Sequence, residues 1–258
     1  MKKAIISVIL CVVLIVSVSI GAFGYSRQPH GWYCMRSGNL APKIEPQLAF
    51  IEKYNGYYLD KNATEKDKVI YLTFDAGYEN GNIEKILDIL KKQDVKGAFF
   101  VLENLIKRDT ELVCRMAKEG HLVCNHTASH KDMTAICNIE SFKNELVALE
   151  NVYKEYTGKE MEKFYRPPEG KFSEENMYFA NKLGYSTVFW SLAYADWDNN
   201  AQPDPKEAIN KLLSNTHNGM VLLLHPTSAT NAEILETLII KWKELGYRFG
   251  DLNELCKK

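Results

Sequence analysis

The chain has no CxxC pair, no internal repeat and no low-complexity tract. Its six cysteines (Cys11, Cys34, Cys114, Cys124, Cys137 and Cys256) are irregularly spaced, and Cys11 falls inside an apolar run, which leaves five. An odd, unevenly spaced set is not a disulfide framework. Most of them read instead as small buried hydrophobes. Basic excess is missing too. The 32 Lys and Arg residues stand against 33 Asp and Glu, for a net charge of −1. Nucleic-acid binding calls for a basic face, and nothing here supplies one. No exposed interface pattern stands out, so a monomer is expected.

What is present is an ordinary globular composition, 46% apolar and 25% charged over 258 residues. That length suits one large α/β domain or two small ones. Lys2 and Lys3 precede an apolar run from Ala4 to about Phe23, and Ala22 and Gly24 are spaced like a cleavage site. Residues 1–24 are therefore expected to be a signal peptide or an N-terminal membrane anchor. Either would place the remainder outside the cytoplasmic membrane. Residues 25–67 read as a loop-rich lead-in packed on the rest, with a short helix near Gln47 to Tyr54.

From Val69 onward, strands alternate with helices. VIYLTFDAGYENGN is an apolar run of β-formers broken at Gly77. Ile83, Ile86, Leu87 and Leu90 mark one face of a helix. The alternation continues through GAFFV, a helix around Leu112 to Met116, the strand Leu122 to Cys124, and a long helix from Ile139 to Tyr156. After a strand stub at Phe164 to Arg166, Ser173 opens a helix that Gly184 closes. Ser186 to Trp190, MVLLL at 220–224 and Tyr247 to Phe249 are strands, with helices at Pro205 to Leu213 and Asn231 to Leu245. About seven βα units imply a parallel sheet, curled into a closed or nearly closed barrel. In such folds chemistry gathers just beyond the strand ends.

Polar residues stand at or just beyond those ends: Asp75, His126 and His130, Arg166 and His225, with Asp196 and Trp197 six residues after a strand. Each has a plain alternative. An Asp at a strand end caps turns, HxxxH is a weak metal signal, and a lone His after apolar residues is often a satisfied core group. If the chain turns helically after Asn125, His126 and His130 share a face and can bind one metal. Thr127 occupies the place where HExxH needs Glu, so a base must come from elsewhere, with Asp75 the candidate. Arg166 precedes Pro167 and Pro168, so the next free backbone N–H is that of Glu169, placed to serve an oxyanion. Cys124, two residues before His126, is read as a core residue. The set describes metal-assisted hydrolysis.

The motifs TFDAG, HTASH, RPPEG, Asp196-Trp197 and LLLHP stand in this order. They resemble the polysaccharide deacetylases, carbohydrate esterase family 4, from Val69 to about Leu255. The resemblance implies a distorted (β/α)7 barrel for residues 68–258. It implies Asp75 as catalytic base, His126 and His130 as metal ligands, and Arg166 as the holder of the base. Asp196 would tune His225, the general acid. Trp190 and Leu223 would line the acetyl pocket. Glu169, beside Arg166, is placed to touch substrate or the Arg, and the aromatics Tyr78, Tyr194 and Trp197 near the mouth can stack on sugar rings or serve equally as rim packing. Ala76 replaces the Asp that is usually the third ligand, so a Zn, Co or Mn ion is expected to be held weakly. TFDAGYENGN, FWSLAYADW, LLLHPTSATNAE and GWYCMRS resemble one branch of the family. That implies hydrolysis of the acetamide of N-acetylmuramic acid in peptidoglycan strands, a step toward muramic δ-lactam in spore cortex. The alternatives are deacetylation of N-acetylglucosamine or chitooligosaccharide, and a catalytically silent glycan-binding protein.

Overall fold

The computed structural model describes residues 24–256. The Lys2–Phe23 segment lies outside the described residues. Among them, no helix is long and apolar enough to cross a membrane.

The described residues form ten strands: β1 (His30–Gly31), β2 (Gly56–Tyr57), β3 (Lys68–Ala76), β4 (Ala98–Val101), β5 (Leu122–Asn125), β6 (Glu162–Tyr165), β7 (Lys171–Phe172), β8 (Ser186–Val188), β9 (Met220–Leu224) and β10 (Tyr247–Phe249). Eight form one sheet, and their named pairings are all parallel. The sheet curls around β3, which pairs with β10 through its first three residues, with β4 through its last four, and with β9 from Ile70 to Phe74. From β4 it runs through β5 and β6 to β8.

Two short contacts bring β8 round to β9. Beyond β8 the chain continues to Leu192, which bridges to Leu222. At the other end β2 pairs with β8, and Leu59 just after it bridges to Met220. The expected barrel is present, in distorted form. The lead-in contributes a strand to its wall instead of only packing outside.

Helices on the outside bury single faces. Ile83, Ile86, Leu87 and Leu90 are the buried residues of Ile83–Lys92. They join one apolar layer with Ile70, Leu72, Phe74 and Ala76 of β3. The alternate residues of the same strands make a second, inner cluster: Val69, Tyr71, Ala98, Phe100, Cys124, Phe164, Val188 and Val221. Strand parity thus sorts the chain into an outer layer and a lumen. Continued past the apolar positions, the inner parity reaches Thr73 and Asp75 on β3, His126 after β5, Arg166 after β6, Trp190 after β8, Leu223 on β9 and His225 just after it.

Candidate active site

Asp75 emerges at the end of β3 and is bound by Arg166, whose Nη1 donates to Oδ1 at 2.8 Å. Arg166 is wholly buried. Its other N–H groups donate to the Thr73 hydroxyl (2.8 Å) and to the carbonyls of Val188 (2.9 Å) and Phe189 (3.2 Å), while its guanidinium lies 4.2 Å from the Phe100 ring centroid. A guanidinium cannot shed its proton, so this buried charge is satisfied from several sides and leaves Asp75 ionised. Burial alone pushes the Asp75 carboxyl up, but Arg166, with His126 and His225 nearby, outweighs it and holds the group below its ordinary range.

His126 and His130 face each other with ring centroids 5.0 Å apart. They do not meet across a helical turn as the four-residue spacing suggests. The segment is irregular, with Thr127 at φ +72° and His130 at φ +53°. Such left-handed positions for non-glycine residues cost about 1 kcal/mol or more each. Asn125 holds the loop in place: its Oδ1 accepts from Thr127 N–H (2.9 Å) and its Nδ2 donates to the Leu146 carbonyl (3.0 Å). The Thr127 hydroxyl then accepts from His130 N–H at 3.0 Å.

His126 Nδ1 lies 2.9 Å from the Arg166 carbonyl, which can only accept. The proton of the neutral ring is therefore on Nδ1, and Nε2 offers a lone pair 3.6 Å from Asp75 Oδ2. Burial pulls the His126 pKa down to about 4, so the ring is neutral near pH 7. A neutral imidazole oriented by a backbone carbonyl is the usual state of a metal-ligating histidine. Among the described residues, however, no group of three His, Cys, Asp or Glu is placed to hold one ion. Ala76 has the outward parity and packs in the outer apolar layer. The donors at hand are two imidazoles with Asp75 beside them, which fits a divalent ion held by fewer protein ligands than usual.

His225 is fastened to Asp196, with Nδ1 2.7 Å from Oδ1 and the backbone N–H donating to Oδ2 at 2.8 Å. Asn231, near the start of the helix Ala229–Glu244, donates to Asp196 Oδ2 (2.6 Å) and to the His225 carbonyl (3.0 Å). Tyr194 in turn donates to Asn231. Burial lowers the His225 pKa, but the hydrogen bond and charge of Asp196 and the more distant Asp75 outweigh it and raise it.

Asp75, His126, His130 and His225 open into one cleft of about 750 Å³. Trp190, Leu223, Tyr78, Tyr194, Trp197 and Glu169 also line it, and Arg166 and Asp196 lie buried behind it. The Trp197 ring stands 6.1 Å from that of His225, centroid to centroid. Tyr78 and Trp197 are both exposed at the rim. Glu169 makes no hydrogen bond or ion pair with Arg166; its carboxylate pairs with Lys171 at 2.7 Å, and its own φ of +56° turns the loop. Asn125, Asn231, Leu102, Gly170 and Thr227 also build or line the cleft. Isolated amides, hydroxyls and apolar groups such as these carry no motif of their own, so the sequence alone does not mark them.

A barrel mouth holding a carboxylate–arginine pair opposite a carboxylate–imidazole pair belongs to the acid/base hydrolases. Residues 62–188 match the family model of polysaccharide deacetylases. The chain is 40% identical to the peptidoglycan-N-acetylmuramic acid deacetylase PdaA of Bacillus subtilis (strain 168) over 252 residues, covering 96% of this chain and 94% of that one. The solved structure of B. subtilis PdaA, a family 4 carbohydrate esterase, superposes with a TM-score of 0.84 at 39% identity, covering 89% of this chain and 97% of that chain. A family 4 carbohydrate esterase from Bacillus anthracis gives a TM-score of 0.74 at 38% identity, covering 91% and 99%. The chain belongs to the polysaccharide deacetylase family, carbohydrate esterase family 4.

Proposed function

We propose that this protein hydrolyses the acetamide of N-acetylmuramic acid in peptidoglycan strands, releasing acetate and leaving a free amine, as a step toward muramic δ-lactam. The observation that carries the reading is the pair of groups in one cleft: Asp75 bound by Arg166, and His225 bound by Asp196, which favours its protonated form. The substrate follows from the name of the B. subtilis relative.

In this reading the acetyl methyl packs against Trp190 and Leu223, and the sugar lies against Tyr78 and Trp197 at the rim. Asp75 takes a proton from the attacking water. The developing oxyanion faces the backbone N–H of Glu169, the first donor after two prolines. His225 gives its proton to the departing nitrogen, and Asp196 stabilises the ring while it is charged. A carboxylate held as firmly ionised as Asp75 is a weak base. A divalent ion on His126 and His130, when bound, would acidify the water and polarise the carbonyl. The N-terminal segment implies export, with the chain either released or anchored. Localisation is checked by cell fractionation and N-terminal sequencing of the mature protein.

The test is acetate release from peptide-free peptidoglycan strands, with and without added Zn²⁺ or Co²⁺, beside an Asp75→Asn variant. Release that depends on Asp75, with mass spectrometry placing the loss on muramic acid, is the expected result. Loss from glucosamine would reassign the substrate. Bound strands without acetate under any metal would make this a binding protein whose chemistry lapsed with Ala76.

A further inference from the structure

Residues 32–36 lie across the cleft's outer wall, and alternate side chains grip it. Trp32 donates from its backbone N–H to the Gly170 carbonyl (2.9 Å) and from Nε1 to the Trp190 carbonyl (2.9 Å). Cys34 Sγ lies 3.3 Å from the same Trp190 carbonyl, and Arg36 Nη2 donates to the Ala193 carbonyl at 3.0 Å. The residues between, Tyr33 and Met35, face solvent. Period two is the signature of an extended segment with one face committed. The carbonyls it holds belong to Trp190 and Ala193, which line the cleft, and to Gly170, which follows the Glu169 N–H. Trp32 also stacks on Phe189 at 4.4 Å between centroids. At Gly170 a Cβ would meet the Trp190 ring at 2.8 Å and the Trp32 Cβ at 3.2 Å. The family model begins at residue 62, so this segment lies outside the part it matches.

We infer that the lead-in segment Trp32–Arg36 is a positioning element that sets the size of the acyl pocket, by fixing Trp190 and Ala193 against the Glu169–Gly170 turn. This rests on the deacetylase reading. It makes Trp32 and Arg36 determinants of which acyl group is hydrolysed, although neither touches substrate.

The test compares N-acetyl with N-propionyl glycan strands, the latter made by chemical deacetylation and re-acylation. Wild type is expected to prefer acetyl, since a pocket that excludes one methylene discriminates by about 10-fold or more. Trp32→Phe keeps the ring stack and loses the Nε1 bond. Arg36→Ala removes an exposed side chain and cannot compromise the core. Both are expected to lower the acetyl-to-propionyl ratio of kcat/KM by about 5-fold and to leave the pH profile where it was. Both rates falling together at an unchanged ratio would overturn the inference and leave the segment a structural brace. Wild type inactive on either substrate would instead defeat the deacetylase reading itself.

Discussion

At the scale of single residues, the site is two charge pairs whose members fail in different ways. Arg166→Met would leave Asp75 buried without its counter-charge. Breaking a buried pair from one side costs about 3–5 kcal/mol. Thermal unfolding should show that loss, and activity should fall to near that of Asp75→Asn. The pH dependence follows from the opposing shifts. The Asp75 pKa is lowered, so the base stays ionised until the pH falls below its ordinary value. The His225 pKa is raised, so the acid stays protonated at higher pH than a free imidazole and activity is lost as the pH climbs through that raised value. Asp196→Asn removes the charge that helps to raise it and leaves at most a neutral acceptor, while burial remains. The alkaline limb of kcat/KM should therefore move to lower pH, and an unmoved limb would assign that ionisation to another group. The imidazoles make a third case. With two histidines and no carboxylate at Ala76, chelator should abolish acetate release, and added Zn²⁺, Co²⁺ or Mn²⁺ should restore it. Full activity in metal-stripped protein would sink the metal assignment of His126 and His130.

At the scale of elements, loops with left-handed residues do the placing. The HTASH segment brings its two rings together only because Thr127 and His130 accept positive φ and Asn125 holds the turn from both sides. Asn125→Ala should cost about 1–3 kcal/mol from the unpaired buried groups. It should also weaken metal affinity more than it weakens substrate binding, as read by metal titration of the apo protein. The RPPEG turn is fixed in a similar way. Gly170 has a φ of +66° and no room for a Cβ between Trp32 and Trp190. Gly170→Ala should lower kcat while the fold survives, because the ring it displaces lines the cleft. Here the sequence was legible in part. The order of strands and helices follows from period and punctuation, and the amphipathic face of Ile83–Lys92 was readable as written. The HTASH geometry was not, because four-residue spacing fits a helix as well as a loop and the choice depends on Leu146 and Glu145, whose backbone and side chains bind this loop from the following helix.

At the scale of the whole molecule, strand parity is the organising fact. On β3, residues 69, 71, 73 and 75 face inward and 70, 72, 74 and 76 outward. The same alternation on four other strands delivers five more side chains to one mouth. All of that was contained in the sequence, because a period of two does not depend on what the strand packs against. So were the positions of Asp75, Arg166 and His225 at or just past strand ends, and the order of the five motifs. What only the tertiary structure decided is how the sheet closes and what each polar group finds there. The seam between β8 and β9 is completed by β2 and Leu59 from the lead-in and by Leu192, contacts between residues more than 100 apart at their farthest, which no local pattern encodes. Likewise, the carbonyl partner of His126 and the wall contacts of Trp32 join segments distant in the chain. Local propensity sets which way a side chain points. Only folding determines which groups it meets, because hydrogen bonds and buried charges are satisfied by whatever the packed chain brings within reach.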